Sequence, residues 1–350
     1  MFQYFQPYKK SNIDALVHLR QGETKLGELI SVPEAVPLKS FLEKTAAQFI
    51  VIGIAEDIGV LANGGKAGTA LAWNSFLLSF LNIQANDFTK ADMIAVIGHF
   101  SFDALKEEIE RKADSSNTRI EEYRKAVSVI DDAVAELIQW IVASRKTPVI
   151  VGGGHNNAYP IIKGTTVGLV GSGNLKGINC INLDAHLDYR LAEGRHSGNG
   201  FRYAKEDGYL MKYFGLGIHE NYIPNDILKE VNENADVDFV TYEDIFVRQR
   251  KGWQQALEDA GNFIGGERYT GIELDLDSIA HVPASAATPC GVSTSEALQY
   301  LFYLVSNFKV AYLHICEGIP PSDHGLLGKL ISYLVSVFIK THYMRTGSNG

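Results

Sequence analysis

Apolar residues fall along this chain in two alternating patterns. Short, nearly unbroken apolar runs of strand length occur at FIVIGIAE (49–56), MIAVIG (93–98), TPVIV (147–151), TVGLV (166–170), INCINLDAH (178–186), YFGLGI (213–218), VDFVT (237–241), YTGIELDLD (269–277) and VAYLHICE (310–317). Between many of them lie stretches with helical spacing. In Val127–Arg145 the apolar positions are Val127, Ile130, Val134, Leu137, Ile138 and Ile141. Thr69–Leu81, Asn156–Ile162, Trp253–Ile264, Ser293–Ser306 and Leu326–Tyr343 read the same way. Strand alternating with helix predicts an α/β fold, with a mostly parallel sheet covered on both faces.

The margins of this pattern are less regular. Residues 1–45 are mixed and polar, with a helix expected at Ile13–Leu19 and a loop at Val32–Pro37, and they read as an N-terminal extension. No composition break follows, so residues 46–344 are expected to form one domain, with 345–350 (RTGSNG) as a tail. The charged stretch 103–126 predicts exposed helix and loop. The glycine-rich segment DIGVLANGGKAG (57–68) is neither G-x-G-x-x-G nor a phosphate-binding G-x-x-x-x-G-K-[ST]. It is expected to be a tight connection at the edge of the sheet.

Composition narrows the partners. Of 350 residues 46% are hydrophobic, enough for a sizeable core, and a net charge of −9 argues against nucleic acid. No apolar run approaches the roughly 18 residues of a membrane span, and MFQYFQPYKK lacks the apolar centre of a secretory signal. Cys180, Cys290 and Cys316 have no C-x-x-C spacing and leave one thiol over, so a reduced cytoplasm is expected.

The candidate chemistry sits at strand ends. Asp184, His186 and Asp188 alternate with Ala185 and Leu187, and residues two apart on a strand share a face. Asp275 and Asp277 repeat the arrangement, and His155 follows a strand and three glycines. Ligands gather outside the carboxyl ends of the strands in open α/β sheets, so these six residues are expected to converge. Buried ionised carboxylates need a counter-charge. Four aspartates with two neutral imidazoles carry −4, which two divalent cations balance. A donor set rich in oxygen and free of thiolate favours a harder ion such as Mn²⁺, and such a pair generates a nucleophilic hydroxide at neutral pH.

GGGHNN, NLDAHLD and LDLDS resemble the three metal-binding motifs of the arginase/agmatinase/formimidoylglutamase family, the ureohydrolases, and the resemblance runs from residues 51–68 to CEGIPPSD (316–323). It implies a three-layer α/β/α sandwich and two Mn²⁺ ions. One would be held by His155, Asp184, Asp188 and Asp275, the other by His186, Asp184, Asp275 and Asp277, with Asp184 and Asp275 bridging. It also implies hydrolysis of a C–N bond in a linear amidine or guanidine, with Asp188 hydrogen-bonding the hydroxide and Glu317 meeting the substrate's N–C–N group. A small-molecule substrate and a homo-oligomer, trimer or hexamer, are further implications.

Departures from the family pattern matter too. Where the third motif usually reads S-x-D-x-D-x-x-D-P, this chain has Glu273, Ala280 and His281 in place of the serine, the last aspartate and the proline. His314 stands where many relatives carry aspartate. SGNGF (197–201) places Phe201 where arginases have a proton-shuttling histidine, which leaves His196 as a candidate proton donor. Arg190 resembles the arginine of formimidoylglutamases and would bind a substrate carboxylate, with Asn199, Arg202 and Arg195 nearby. The leading expectation is conversion of N-formimidoyl-L-glutamate and water to L-glutamate and formamide. An arginase, an agmatinase or another guanidino-acid hydrolase is the alternative. From other classes, a metal-binding member without hydrolase activity, a binuclear phosphoesterase and a non-catalytic scaffold remain.

Overall fold

A computed structural model describes residues 3–113, 115–170, 176–321 and 325–347. Among them nine strands form one sheet: β1 (Phe5–Pro7), β2 (Phe49–Ala55), β3 (Ile94–Ser101), β4 (Thr147–Val151), β5 (Ile178–Leu183), β6 (Leu210–Ile218), β7 (Val237–Thr241), β8 (Tyr269–Asp275) and β9 (Lys309–Cys316). Their spatial order is β1-β3-β2-β4-β9-β8-β5-β6-β7. Every neighbouring pair is parallel except β1 with β3.

The unbroken apolar runs follow from burial on both faces. On β2, Phe49 and Val51 enter one core layer, while Ile50, Ile52 and Ile54 enter the other. Helices Ala72–Phe80, Trp253–Ile264, Thr294–Asn307 and Gly325–Gly347 cover the first layer. Ser116–Ala143 and Ala158–Val170 cover the second. These are the three layers of an α/β/α sandwich.

The structure corrects the sequence reading in several places. TVGLV (166–170) is the last part of helix Ala158–Val170, not a strand. Its β-branched residues favour a strand locally, but tertiary packing decides. A Cβ on Gly164 would lie 2.4 Å from the Ala135 carbonyl oxygen, and one on Gly168 would lie 2.8 Å from Val142 Cβ. Glycines one turn apart thus let this helix press against Ser116–Ala143. That long helix also takes in residues 116–126 of the charged stretch, starting where Ser115 Oγ accepts from the Thr118 N–H, while Asp103–Lys112 forms a helix of its own.

Residues 57–68 are not a plain edge connection. They contain the short helix Ile58–Ala62, which packs against the turn His155–Asn157 that follows β4. A Cβ on Gly59 would lie 1.8 Å from the Asn156 side-chain amide. Buried Glu56 accepts from the N–H groups of Gly59 and Gly154 and from Asn157 Nδ2. The N-terminal residues supply the edge strand β1, and Ile13, Leu26, Ile30 and Leu42 are buried. The first helix is Lys10–Asp14, earlier than expected. The final helix runs to Gly347. Residues 348–350 of the expected tail, and residues 322–323 of CEGIPPSD, lie outside the described residues.

Candidate metal centre

The sheet order explains why distant motifs meet. β4, β9, β8 and β5 are successive neighbours, so the segments following them emerge side by side. After β4 the chain turns through Gly152 and Gly153, at φ 95° and 79°, a left-handed conformation that suits glycine. It then enters the single turn His155–Asn157. β5 delivers Asp184, β8 ends on Asp275, and β9 hands over to Glu317.

Three carboxylate oxygens surround one nitrogen. His155 Nδ1 lies 3.0 Å from Asp188 Oδ2 and 3.2 Å from both Asp184 Oδ2 and Asp275 Oδ2. The ring is fully buried, and neither of its nitrogens makes a well-aligned hydrogen bond. Donor atoms about 2.0–2.2 Å from one shared cation are spaced about 3 Å apart, so this group fits a divalent ion. Beside it, His186 Nδ1 lies 3.1 Å from Asp277 Oδ2 and 3.6 Å from Asp184 Oδ1. His186, Asp184 and Asp277 form a second ligand group. Asp184 belongs to both groups. Asp275 falls in the first, and its Oδ1 accepts from the Asp277 N–H at 2.8 Å.

The electrostatics point the same way. Burial and the neighbouring Asp277 and Asp184 push Asp275 well above the usual carboxylate range. Burial and the Asp184 charge raise Asp188 and Asp277. Burial works to lower His186, yet Asp184 and Asp277 outweigh it and carry the imidazole up to about 12. An excess of buried negative charge focused on two imidazoles is what a pair of divalent cations would relieve.

A cavity of about 350 Å³ opens onto this cluster, lined among others by His186, Asp188, Arg190, Tyr222, Ser285 and Glu317. Glu317 is buried rather than on a surface loop, and both it and Asp188 hold positive φ, 63° and 46°. Glu317 Oε1 accepts from the His155 N–H at 2.7 Å, and Oε2 accepts from Ser285 Oγ. Burial, countered by those donors, pushes its carboxyl up to about 8. Arg190 is exposed at the cavity wall and donates to Asn63 Oδ1 at 3.1 Å.

Other candidates have different employment. Arg202 is clamped to Glu230 by two bonds of 2.8 and 2.7 Å, and it also donates to the carbonyls of Tyr189 and Arg190. Arg195 pairs with Asp131 and is held against the rings of Tyr159 and Tyr203. Asn199 spends its amide on Arg195, His196, Leu191 and Gly194. These three brace the loop that presents Arg190, and none of them lines the cavity. His196 is away from the lining as well; its Nδ1 accepts from the Gly198 N–H, and burial with nearby Arg124 and Arg190 lowers it to about 4. A neutral, capped imidazole off the cavity is poorly suited to donate a proton there. Phe201 packs edge-on against His155, ring centroids 5.1 Å apart.

Sequence reasoning missed Ser285, Asn63 and Tyr222. Tyr222 stacks on His186 at 4.8 Å between ring centroids. Nothing in their local spacing marks them; only the folded loops bring them to the cavity.

A mostly parallel α/β sandwich whose strand ends gather four aspartates and two histidines beside a polar cavity defines a protein of the binuclear metal class. The arginase family profile matches residues 48–337. This chain belongs to the arginase family. A formimidoylglutamase of Streptococcus pyogenes is 26% identical over 303 residues, which cover 83% of this chain and 84% of that protein. The fold is similar to that of Trypanosoma cruzi formiminoglutamase with Mn²⁺, at a TM-score of 0.70 and 20% identity, covering 93% of this chain and 100% of the other. It is also similar to agmatine ureohydrolase of Thermoplasma volcanium, at a TM-score of 0.66 and 16% identity, covering 97% and 100% of the two chains.

Proposed function

We propose that this chain hydrolyses the C–N bond of a linear amidine and that its substrate is N-formimidoyl-L-glutamate, cleaved with water to L-glutamate and formamide. The supporting observation is a single cavity that joins the aspartate–histidine cluster, buried Glu317 and exposed Arg190.

His155, Asp184, Asp188 and Asp275 would hold one Mn²⁺ ion, and His186, Asp184 and Asp277 the other, with Asp275 as a further shared ligand. Bound there, the two ions supply Lewis acidity and lower the pKa of water. Glu317 meets the two nitrogens of the amidinium, since a carboxylate pairs well with two N–H donors. That cation also offsets the cost of charging a buried carboxyl. Ser285 holds Glu317 in the required orientation. Arg190 binds a carboxylate of the glutamate portion at the cavity wall. Asp188, on the cavity lining, takes a proton from the attacking water as its oxygen adds to the amidine carbon, and passes that proton to the departing amine nitrogen as the C–N bond breaks. The free thiols Cys180, Cys290 and Cys316 support a reducing, cytoplasmic setting.

The test is a product assay with added Mn²⁺ across N-formimidoyl-L-glutamate, arginine, agmatine and guanidinobutyrate. Formamide from the first substrate, with little urea from the others, is the expected result. Dominant urea release would replace the proposed substrate by a guanidino compound. A flat response would leave a metal-binding member without this activity.

A further inference from the structure

Two departures from the family pattern turn out to be partners. Glu273 on β8 and His314 on β9 are paired in register across neighbouring parallel strands. Both side chains are fully buried, and His314 Nδ1 lies 2.6 Å from Glu273 Oε2. Tyr312 completes the group, with its hydroxyl donating to Glu273 Oε1 at 2.7 Å. The Tyr312 ring has room because its register partner is Gly271. A Cβ there would lie 2.4 Å from the ring. Glu273 is thus held on both oxygens in one orientation.

Its place in the strand gives that orientation a target. Residues two apart on a strand share a face, so Glu273 lies one step behind Asp275 on the side of the metal centre. Glu273 Oε2 is 3.4 Å from His155 Nε2, the ring nitrogen opposite the one facing the three carboxylates, a contact that a small rotation of the ring would align as a hydrogen bond. A neutral imidazole carries one N–H and one lone pair. For Nδ1 to offer a lone pair to a cation, the proton must sit on Nε2, and an acceptor there fixes both tautomer and ring orientation.

We propose that Glu273, braced by His314 and Tyr312, is the positioning residue of His155. It accepts from Nε2–H and thereby aims Nδ1 at the ion shared with Asp184, Asp188 and Asp275. The inference rests on the metal-centre reading above but not on the choice of substrate.

Ion binding tests it. Mn²⁺ affinity and stoichiometry are measured by equilibrium dialysis on the full chain, with electron paramagnetic resonance to separate coupled from isolated ions. Melting of the metal-free protein reports the fold. Glu273→Gln is expected to weaken the His155 site by about 10–100-fold, giving one tight ion with an isolated-ion spectrum. Glu273→Ser and His314→Asp, made singly, strand one member of the pair. Made together they install the residues the family pattern carries, and they are expected to restore two tight ions. A Glu273→Gln protein that melts like wild type and binds both ions with unchanged affinity overturns the proposal. Should that variant not fold, Tyr312→Phe keeps the ring and removes one bond to Glu273; weaker binding at the His155 site supports the proposal, and unchanged binding overturns it. Wild-type protein that fails to hold two ions overturns both this inference and the metal reading. Two tight ions without formimidoylglutamate turnover overturn the substrate reading alone, and the variants then decide on Glu273 by the same readout.

Discussion

Arg190 and Arg202 lie twelve positions apart on one loop and the helix that follows it, yet the structure gives them different work. Arg190 is exposed on the cavity with a single neutral side-chain acceptor, while Arg202 spends its guanidinium on Glu230 and two carbonyls. Arg190→Ala is therefore expected to raise KM for formimidoylglutamate about 10–100-fold with little change in kcat, since a charge-assisted hydrogen bond is worth about 1.5–3 kcal/mol. Arg202→Ala should lower stability by about 2 kcal/mol and leave KM nearly unchanged in the protein that remains folded. Steady-state kinetics paired with urea denaturation of the two variants separates the roles. Asp184 contributes to both ligand groups. Asp184→Ala should cut turnover well beyond the roughly 10–100-fold cost of losing an outer partner and leave at most one ion per chain. Wild-type turnover in that variant would refute the site.

His196 carries a pH prediction. Its folded pKa is about 4, lowered first by burial and then by Arg124 and Arg190, against about 6.5 in an unfolded chain. The unfolded state then binds more protons between those values, so stability falls as pH drops from 6.5 towards 4. The contribution lost between pH 6.5 and 5 is about 1–2 kcal/mol. His196→Asn should flatten that part of the stability profile, read as urea midpoints against pH, while formamide production at pH 7.5 stays within a few-fold.

At the scale of elements, glycine placement decides what local propensity does not. The helix Ala158–Val170 packs on Ser116–Ala143 through Gly164 and Gly168. Gly164→Ala drives a methyl against backbone rather than against a yielding side chain. A loss of about 1–3 kcal/mol is expected, typical of overpacking, and is measurable as a lower urea midpoint. The neighbouring segment 57–68 acts more directly on the site, because Gly59 meets the Asn156 side chain next to His155. That contact ties the glycine-rich segment to the position of the turn that carries His155.

Across the whole molecule, the N-terminal 45 residues belong to the packing of the sheet. β1 covers the edge of β3, and Phe5, Ile13, Leu26, Ile30 and Leu42 are buried. Fully burying one such side chain is worth about 1.5–3 kcal/mol, and an uncovered flat edge invites pairing with other chains. Deletion of residues 1–45 is expected to give a protein that melts at least several degrees lower and aggregates, checked by thermal scans and light scattering. A truncated chain with unchanged melting and solubility would make this segment a dispensable extension.

Some of this was legible in the residues alone. Apolar runs mark eight strands because burial on both faces demands unbroken apolar residues, whatever their order in the sheet. His155, Asp184, His186, Asp188, Asp275 and Asp277 stand out because ionisable groups following such runs need a shared reason to be there. The edge strand β1 was not legible, since three residues on one partner leave no periodic trace. TVGLV was misleading because its helix is set by contacts with Ala135 and Val142 of the preceding long helix, out of reach of any local window. Which arginine faces the cavity, and which two departures from the family pattern answer each other, were decided only by tertiary structure. Arg190, Arg195 and Arg202 carry the same charge in the sequence, and only their partners in space distinguish them. Glu273 and His314 are 41 residues apart, and the register of β8 against β9 makes them neighbours.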